Sequence, residues 1–346
     1  MKRILTALCA LFLFSACSPR AEGEVSRSDF VLGTVCSIRL IEGGSNNTLQ
    51  AIFSRLSQIE DRMSANRDDT QIAAINRAAG KEAVKVTEDT LEVIQKSIEY
   101  ARLTGGAFDP SVGPLVKLWN IGTDYAKVPS EKEIKERIAL IDYNDIELDS
   151  AKKTVFLRKP GMSLDLGAIA KGFAADEVTK ILASHKVKAA VVDLGGNVLV
   201  YGQKKDGSPW RVGVQDPVSD RGDYLGLVSG KAMTVVTSGI YERFFIEKGV
   251  RYHHILDPKT GFPSNTGLVS VTIIATSSID ADALSTSIFS LGLKKGLELL
   301  KSLPEIRAIF IDDKKNVYLS PGTESIFTLT NNNYKLLSVT KPAQLK

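Results

Sequence analysis

The sequence predicts an α+β fold in which mixed and antiparallel strands pack against helices. Helical periodicity is clear in residues 48–63, where apolar residues recur every three or four positions. Residues 189–201 fit a strand, a Gly-Gly turn and a second strand, and further strands are predicted at 210–214, 225–228, 233–238 and 268–275. A chain of 346 residues with 43% hydrophobic content can bury the core of one large domain or of two closely packed ones.

The N-terminal third alternates strand and helix patterns. Residues 30–40 are strand-like apart from Gly33, which marks either a bulge or a close approach by a ligand. A polar turn at 64–67 separates the first helix from a shorter one. Thr87 is the expected N-cap of the next helix, which should end at Gly105-Gly106.

Residues 104–120 are rich in glycine and proline and predict a structured loop. Asp109 precedes Pro110 and must be extended, which would present its carboxylate outward. Phe108 beside it would either cover a bound ring or plug the turn. Downstream, the patterns predict a charged helix at 130–141, a hairpin at 146–157, one more helix near the C-terminus and strands at 308–311 and 317–319.

The charge balance argues against a nucleic-acid partner. The formal net charge is +4, and it falls to about +2 if Lys2 and Arg3 are removed with a leader peptide. No face or tract is conspicuously basic, as a nucleic-acid-binding domain would require.

Residues 1–16 have the features of a signal peptide. A basic start precedes an apolar run at 4–14, which is too short to span a membrane and ends in small residues. Cys17 follows directly, and the stretch resembles a bacterial lipobox with Phe14 where leucine is usual. We therefore expect lipidation of Cys17, a tether over residues 17–28 and anchoring at the periplasmic face of a bacterial membrane. The alternative is an ordinary secreted protein with an incidental cysteine.

The cysteine count agrees with export. If Cys9 leaves with the leader and Cys17 takes the lipid, Cys36 remains alone and no intramolecular disulfide can form. Cys36 lies in an apolar run, which favours a packing role over a nucleophilic one.

Two stretches carry the predicted chemistry. Residues 164–177, LDLGAIAKGFAADE, place the carboxylate of Asp165 before a helix that carries Lys171 near its start. A lysine beside the N–H groups of a helix start suits a phosphate or pyrophosphate. In the stretch DADALST, Asp282 and Thr286 are four residues apart and share one helix face. Because Mg²⁺ prefers oxygen ligands near a phosphate, the two stretches predict a magnesium-assisted enzyme acting on the pyrophosphate of a nucleotide.

Other catalytic patterns are missing from the sequence. It contains no G-x-S-x-G, no P-loop and no H-E-x-x-H motif. An S-x-x-K match at Ser150 lies in a charged turn without partner motifs. His253 and His254 are adjacent and would point to opposite faces of a strand, so a paired zinc site is not expected, although one of them would be able to line a pocket.

Together these segments resemble the ApbE family of exported flavin transferases. The matching pieces lie within residues 30–319 and are LGT at 32–34, MSANRDD at 63–69, TGGAFDPSVGPL at 104–115, LDLGAIAKGFAAD at 164–176, DLGGN at 193–197, TSGIYERFF at 237–245, HHILDPKTGFP at 253–263 and ATSSIDADALST at 275–286. Members of that family bind FAD with Mg²⁺ and transfer FMN to a threonine or serine hydroxyl of an acceptor flavoprotein, releasing AMP. The resemblance implies an ApbE-like, T-fold-like architecture over residues 29–330, with FAD in a groove between a main domain and smaller elements, and a C-terminal tail at 331–346.

The resemblance also implies the residues of the site. The metal ligands would be the carbonyl of Ala168 and the side chains of Asp282, Ser285 and Thr286. The flavin nucleotide would contact Leu32, Asn66, Ala107, Phe108, Asp109, Asp165, Lys171, His254 and Ile255. Asp282, Asn66 and Lys171 are expected to act in catalysis. Either Asp282 or Asp165 would serve as the general base if it lies within hydrogen-bond reach of the acceptor hydroxyl.

One position departs from the family pattern. Much of the family has a tyrosine where this chain has Asn66, and a tyrosine ring can stack on a nucleotide, whereas asparagine leaves room for water. We therefore expect hydrolysis of FAD to FMN and AMP alongside, or in place of, transfer. The alternative from a different class of function is a non-catalytic flavin-binding lipoprotein that stores or carries FAD.

Overall fold

The computed structural model describes residues 23–220 and 222–337. The predicted signal peptide at 1–16 and the lipidation site Cys17 lie outside these residues. Within them, no helix is both long and apolar enough to cross a lipid bilayer.

The described chain forms helices and strands throughout its length. The helices are α1 (Asn46–Met63), α2 (Gln71–Ala78), α3 (Glu88–Leu103), α4 (Gly113–Trp119), α5 (Glu131–Ile138), α6 (Ala170–Ser184) and α7 (Ser278–Leu300). The strands are β1 (Val25–Val31), β2 (Thr34–Glu42), β3 (Val84–Lys85), β4 (Ile146–Asp149), β5 (Thr154–Leu157), β6 (Ala189–Leu194), β7 (Asn197–Gly202), β8 (Trp210–Gln215), β9 (Tyr224–Gly230), β10 (Met233–Gly239), β11 (Phe244–Glu247), β12 (Val250–His253), β13 (Leu268–Ala275), β14 (Arg307–Asp312), β15 (Asn316–Leu319), β16 (Phe327–Leu329) and β17 (Lys335–Leu337).

A nine-stranded sheet forms the centre of the fold, in the order β1-β2-β6-β7-β10-β13-β14-β15-β17. Its neighbours are antiparallel except for β15 and β17, which are parallel. The predicted α+β class with mixed and antiparallel strands is therefore confirmed.

Both faces of the nine-stranded sheet are covered, because its strands are apolar on each side. Along β14, Ala308 and Phe310 belong to the core under the helices, while Ile309 and Ile311 belong to the core on the opposite face. This alternation is the period of two that a strand imposes on its side chains. Helices α1, α3, α6 and α7 contribute to the first core, and a three-stranded sheet, β16-β9-β8, covers the other face.

Smaller elements flank the central sheet. Strands β3, β5 and β4 form a three-stranded sheet, and β11 and β12 form a separate hairpin. Trp119 is fully buried beside this hairpin, where its ring lies 5.5 Å from that of Tyr252, and its indole N–H donates to the Gly261 carbonyl at 2.8 Å. The hairpin is thereby held against α4.

The structure corrects several local predictions at the boundaries of elements. Strand β1 already begins at Val25 and pairs with β2, so residues 25–28 belong to the sheet and not to a tether. Strand β17 lies inside the predicted tail at 331–346. The stretch 30–40 is two strands joined by a turn at Leu32-Gly33, because both residues adopt a positive φ that reverses the chain.

Two helices also differ from the prediction. The second half of the stretch 104–120 is helix α4, in which Pro114 occupies an early position where its missing N–H costs nothing. The extra helix expected near the C-terminus is the continuation of α7 past a kink at Gly292, whose φ is 76°.

Candidate functional site

The site lies where helices α6 and α7 touch, and Gly172 sets their separation. A Cβ atom on Gly172 would lie 2.3 Å from the Ser278 carbonyl oxygen, so a larger residue would force the helices apart. The Gly172 N–H donates to Oδ2 of Asp282 at 2.8 Å. The start of α6 is thus bonded directly to the carboxylate of Asp282 on α7.

Asp176 fixes the same junction from the other direction. Its two carboxylate oxygens accept the backbone N–H groups of Ser278 and Ile279, both at 2.9 Å, at the first turn of α7. A carboxylate at this position satisfies N–H groups that have no partner within the helix. Burial raises the pKa of the Asp176 carboxyl, and the two N–H groups act in the opposite direction. Sequence reasoning gave Asp176 no role.

Lys171 and Asp282, which lie far apart in the sequence, meet at this junction. Asp282 is 4% exposed, and its Oδ1 lies 3.9 Å from the ammonium nitrogen of Lys171. Lys171 also donates to the Gly167 carbonyl at 3.3 Å. One oxygen of Asp282 accepts the Gly172 N–H and the other faces the Lys171 ammonium, so the carboxylate is held in one orientation at the junction.

The predicted ligands of Mg²⁺ are oxygen atoms on α7 and on the segment that leads into α6. The Gly172 N–H, four residues after Ala168, donates to Asp282 and not to the Ala168 carbonyl. Among residues 23–220 and 222–337, no backbone hydrogen bond outside the regular helices and strands ends on the Ala168 carbonyl either. Thr286 is half-buried one helical turn after Asp282. The described residues contain no group of three or more His, Cys, Asp or Glu side chains that would hold a metal. A carboxylate, a hydroxyl and a carbonyl are oxygen ligands of the kind that Mg²⁺ combines with phosphates and water.

Ser285 was predicted as a metal ligand, and its hydroxyl is already engaged. Ser285 is fully buried, donates to the Asp282 carbonyl at 2.9 Å and lies 2.8 Å from the hydroxyl of Ser238. Ser238 lies on β10, within the motif TSGIYERFF, and also contacts the Thr286 hydroxyl at 3.1 Å. The sequence pattern does not single out Ser238 within this motif.

Two tight turns meet each other, the one between β1 and β2 and the one between β6 and β7. Leu32 has a φ of 58°, in the left-handed region that is unfavourable for a leucine, and the Gly33 N–H donates to Glu60 at 3.2 Å. A Cβ atom on Gly195 would lie 2.3 Å from the Thr34 hydroxyl, so the turn between β6 and β7 needs glycine there. A strained leucine in a turn is consistent with the predicted contact between Leu32 and the nucleotide.

The loop before α4 contradicts one local prediction. The Asp109 carboxylate does not face outward: Asp109 is 8% exposed, and Oδ1 accepts the backbone N–H of Ser111 at 2.8 Å and its hydroxyl at 2.6 Å. Its Oδ2 accepts the Tyr143 N–H at 3.2 Å, and burial raises the pKa of the carboxyl. Phe108 is 5% exposed and belongs to the helical core, so it plugs the turn.

The Gly105–Ala107 part of this loop is accessible to solvent, and Ala107 is half-buried. The loop reaches the α6 segment through the Asp165 N–H, which donates to the Pro110 carbonyl at 2.9 Å. Asp165 is half-buried, and its Oδ1 accepts the Gly167 N–H at 2.7 Å.

The two adjacent histidines have different roles. His253 is 7% exposed: its Nε2–H donates to the Ser264 carbonyl at 3.1 Å, while Nδ1 accepts the Ile255 N–H at 3.3 Å. Burial lowers the pKa of His253 to about 4. His253 is therefore a neutral residue of the interior, and Ile255, at 4% exposed, also lies in the core.

His254 is half-buried, and its ring is oriented by a single carbonyl. Nδ1 lies 3.2 Å from the Arg243 carbonyl oxygen, which can only accept, so the proton is on Nδ1 and Nε2 keeps its lone pair. Burial lowers the pKa of His254 to about 3, and the positive charges of Arg243 and Lys171 act in the same direction. His254 is thus a neutral imidazole that lies within the electrostatic reach of Lys171.

Asn66 lies in the exposed turn between α1 and α2. Its backbone N–H donates to the Ser64 hydroxyl at 3.2 Å, and its side chain makes no hydrogen bond to the described residues. The structure shows no direct bond between Asn66 and Lys171 or Asp282. The assigned roles of Asn66 and of the other flavin contacts therefore stay predictions.

Comparisons with known proteins point to one family. The model of the ApbE family matches residues 32–310. The curated protein "FAD:protein FMN transferase" of Treponema pallidum (strain Nichols) is 42% identical over 338 residues, which cover 92% of this chain and 93% of the relative. A protein of the same name from Klebsiella pneumoniae (strain 342) is 38% identical over 289 residues, which cover 84% of this chain and 90% of the relative.

Solved structures agree. The ApbE protein from Thermotoga maritima superposes with a TM-score of 0.81 at 34% identity, covering 88% of this chain and 99% of that chain. The flavin transferase ApbE from Vibrio cholerae superposes with a TM-score of 0.78 at 30% identity, covering 88% of this chain and 99% of that chain. The ApbE-like architecture that the sequence predicted is thereby confirmed.

Proposed function

Since the chain belongs to the ApbE family, we propose that it is a Mg²⁺-dependent enzyme that transfers FMN from FAD to a threonine or serine hydroxyl of an acceptor flavoprotein. The observation that supports this proposal best is the junction of α6 and α7, which brings Lys171 within 3.9 Å of a buried Asp282. A non-catalytic FAD carrier would not need a lysine ammonium group, a carboxylate and hydroxyls gathered at one helix junction.

The residues at the junction would hold the ion. Asp282, Thr286 and the Ala168 carbonyl are the proposed ligands. When bound, Mg²⁺ would neutralise the oxygens of the FAD pyrophosphate and stabilise the charge that builds during transfer. Lys171 adds a second positive charge, which would stabilise the AMP that leaves.

The proposed reaction is a substitution at the phosphorus of the FMN half. The oxygen of the acceptor hydroxyl forms a bond to this phosphorus, the bond to the bridging oxygen breaks, and AMP leaves with the electron pair. The hydroxyl proton must go to a base. Nε2 of His254 carries a lone pair and would accept it, and the negative charge of a bound pyrophosphate would raise the pKa of this imidazole. Asp165 or Asp282, predicted from the sequence, would be the base if the His254→Gln variant kept its activity.

The proposed hydrolysis uses water in place of the acceptor hydroxyl. An exposed Asn66 side chain without a hydrogen-bond partner among the described residues would leave space for water near the bound nucleotide, where much of the family has a tyrosine. Asn66→Tyr should lower the hydrolysis rate about 10-fold or more, because a stacked ring would exclude water. Asp68→Tyr, which places the same ring in the same exposed turn, should leave hydrolysis unchanged. Equal rates of FAD hydrolysis in the wild type and in Asn66→Tyr would contradict this hypothesis.

Export and lipidation are part of the proposal. With Cys17 lipidated, the folded sheet would begin only eight residues later at Val25, so the enzyme would work close to the periplasmic face of a membrane. Expression of the full chain and of Cys17→Ser tests this point. The wild type should fractionate with membranes, and the variant should not.

The activity itself is tested by incubating the protein with FAD and Mg²⁺ and separating the products by chromatography. FMN and AMP should appear, and both a chelator and Asp282→Ala should reduce their formation by at least about 100-fold, because a metal ligand is lost. Asp206→Ala, which removes an exposed carboxylate far along the chain, is the control. Intact FAD in every sample, with or without an acceptor protein, would favour the non-catalytic carrier.

A further inference from the structure

The hydroxyl of Ser238 joins the two hydroxyls at the end of the proposed ion site. It lies 2.8 Å from Oγ of Ser285 and 3.1 Å from Oγ1 of Thr286. Ser285 in turn donates to the Asp282 carbonyl at 2.9 Å. Four groups therefore form a continuous chain of hydrogen bonds from Thr286 to the backbone of Asp282.

The direction of this chain is fixed by its last member. A carbonyl oxygen can only accept, so the one hydroxyl hydrogen of Ser285 is used on Asp282. Ser285 must then accept from Ser238, which uses the one hydrogen of Ser238. Ser238 must in turn accept from Thr286. The Thr286 hydrogen is thereby held towards Ser238, and the lone pairs of Oγ1 are left for another partner.

From this geometry we propose that Ser238 is a positioning residue, which holds the Thr286 hydroxyl in the orientation that presents its lone pairs to the divalent ion. The proposal rests on the magnesium site of the proposed function. It also gives Ser285 a different role from the predicted one, because a fully buried hydroxyl that both donates and accepts is a relay and not a ligand. Hydrogen bonds that orient a metal ligand commonly change metal affinity by 10- to 100-fold.

The same strand supplies a matched control. Side chains of β10 alternate between the two faces of the sheet, so Ser238 faces α7 whereas Thr237 faces away from it. Thr237 makes a hydrogen bond of the same length, 2.8 Å, to the Thr272 hydroxyl on the neighbouring strand. Thr237→Val therefore removes a comparable hydrogen bond from the same strand without touching α7.

Mn²⁺ titration followed by electron paramagnetic resonance tests the proposal without measuring activity. The Kd for Mn²⁺ should rise about 10-fold or more in Ser238→Ala, whereas Thr237→Val should stay within about twofold of the wild type. Ser238→Thr keeps the hydroxyl and should bind nearly as the wild type does. In a Thr286→Val background, Ser238→Ala should have no further effect, because the group that it orients is gone.

The outcomes separate this proposal from the one on which it rests. Wild-type affinity in Ser238→Ala, together with lost affinity in Thr286→Val, would overturn the role of Ser238 and leave the ion site intact. No saturable binding of Mn²⁺ by the wild type would overturn the ion site and both proposals. Equal loss in Ser238→Ala and Thr237→Val would show a general effect on the sheet and would also overturn the positioning role. Urea unfolding of each variant confirms that the folded protein is being compared.

Discussion

Replacing Asp176 by alanine should destabilise the protein by about 3 kcal/mol and weaken the proposed ion site at the same time. Both carboxylate oxygens of Asp176 accept N–H groups at the start of α7, each at 2.9 Å, and Ser278 is fully buried. A buried donor left without a partner costs about 1–3 kcal/mol, and loss of a helix cap typically costs about 1 kcal/mol. Taking about 1.5 kcal/mol for each of the two N–H groups gives the figure of about 3 kcal/mol.

The conservative variant distinguishes hydrogen bonding from bulk. Asp176→Asn keeps one oxygen that can accept, and its amide nitrogen cannot accept the second N–H, so its cost should be about half that of the alanine variant. Asp206→Ala is the control: its carboxylate also accepts two hydrogen bonds from one neighbour, Ser208, at 3.0 and 2.8 Å, but in an exposed loop. Its cost should stay below about 0.5 kcal/mol, as is usual for surface substitutions.

The measurement is the free energy of unfolding in urea for the wild type and the three variants, with the Kd for Mn²⁺ taken on the same samples. The loss of stability should increase from Asp206→Ala to Asp176→Asn to Asp176→Ala. The affinity for Mn²⁺ should fall only in the two Asp176 variants. A cost below about 0.5 kcal/mol for Asp176→Ala would contradict this prediction, because the loss of both hydrogen bonds at the start of α7 would then cost almost nothing.

Three further substitutions have defined outcomes. Burial lowers the pKa of His253 from 6.5 to about 4. Between these pH values the unfolded chain binds a proton at His253 and the folded chain does not, so the free energy of unfolding decreases as the pH falls from 6.5 towards 4. His253→Gln should reduce the pH dependence of the unfolding free energy by up to about 1.4 kcal/mol per pH unit. Urea unfolding that gives the same pH dependence for the wild type and the variant would contradict this. Gly172→Ala should cost about 3 kcal/mol, since its Cβ would meet the Ser278 carbonyl at 2.3 Å, and a normal melting temperature would contradict the packing. Leu32→Asn should stabilise the turn by about 1 kcal/mol through relief of a left-handed leucine, while raising KM for FAD; a lower melting temperature would contradict the strain.

Much of the fold was predictable because burial follows periodicity. In α1 the apolar positions Leu49, Ile52, Phe53, Leu56, Ile59 and Met63 are all buried, as the helical spacing required. The strand, Gly-Gly turn and strand at 189–201 are β6 and β7. Periodicity says nothing about where an element joins its neighbours, so the pairing of residues 25–28 with β2 and the place of β17 beside β15 were missed.

The site was predictable only in part, for a related reason. Asp282 and Thr286 lie on one helix, so their spacing predicted a shared face, and the meeting of Lys171 with Asp282 is observed. Ser238 and Asp176 act on α7 from other elements, and no local pattern marks such a hydrogen bond in a single sequence.

The error at Asp109 has a different cause. The residue before a proline is extended, but the carboxylate found closer donors in Ser111, which turned it inward. Side chains of aspartate often satisfy the backbone two residues ahead in this way.

The proposed activity moves FMN from FAD onto a hydroxyl with the help of a divalent ion bound at the junction of α6 and α7. The most direct test is mass spectrometry of an acceptor flavoprotein incubated with the protein, FAD and Mg²⁺. The acceptor should gain one FMN, linked through phosphate to a threonine or serine, while AMP appears in equal amount. The gain should vanish with chelator and with Asp282→Ala, and persist with Asp206→Ala. An acceptor that stays unmodified while FAD remains intact, or a modification that persists in Asp282→Ala, would contradict the proposed activity.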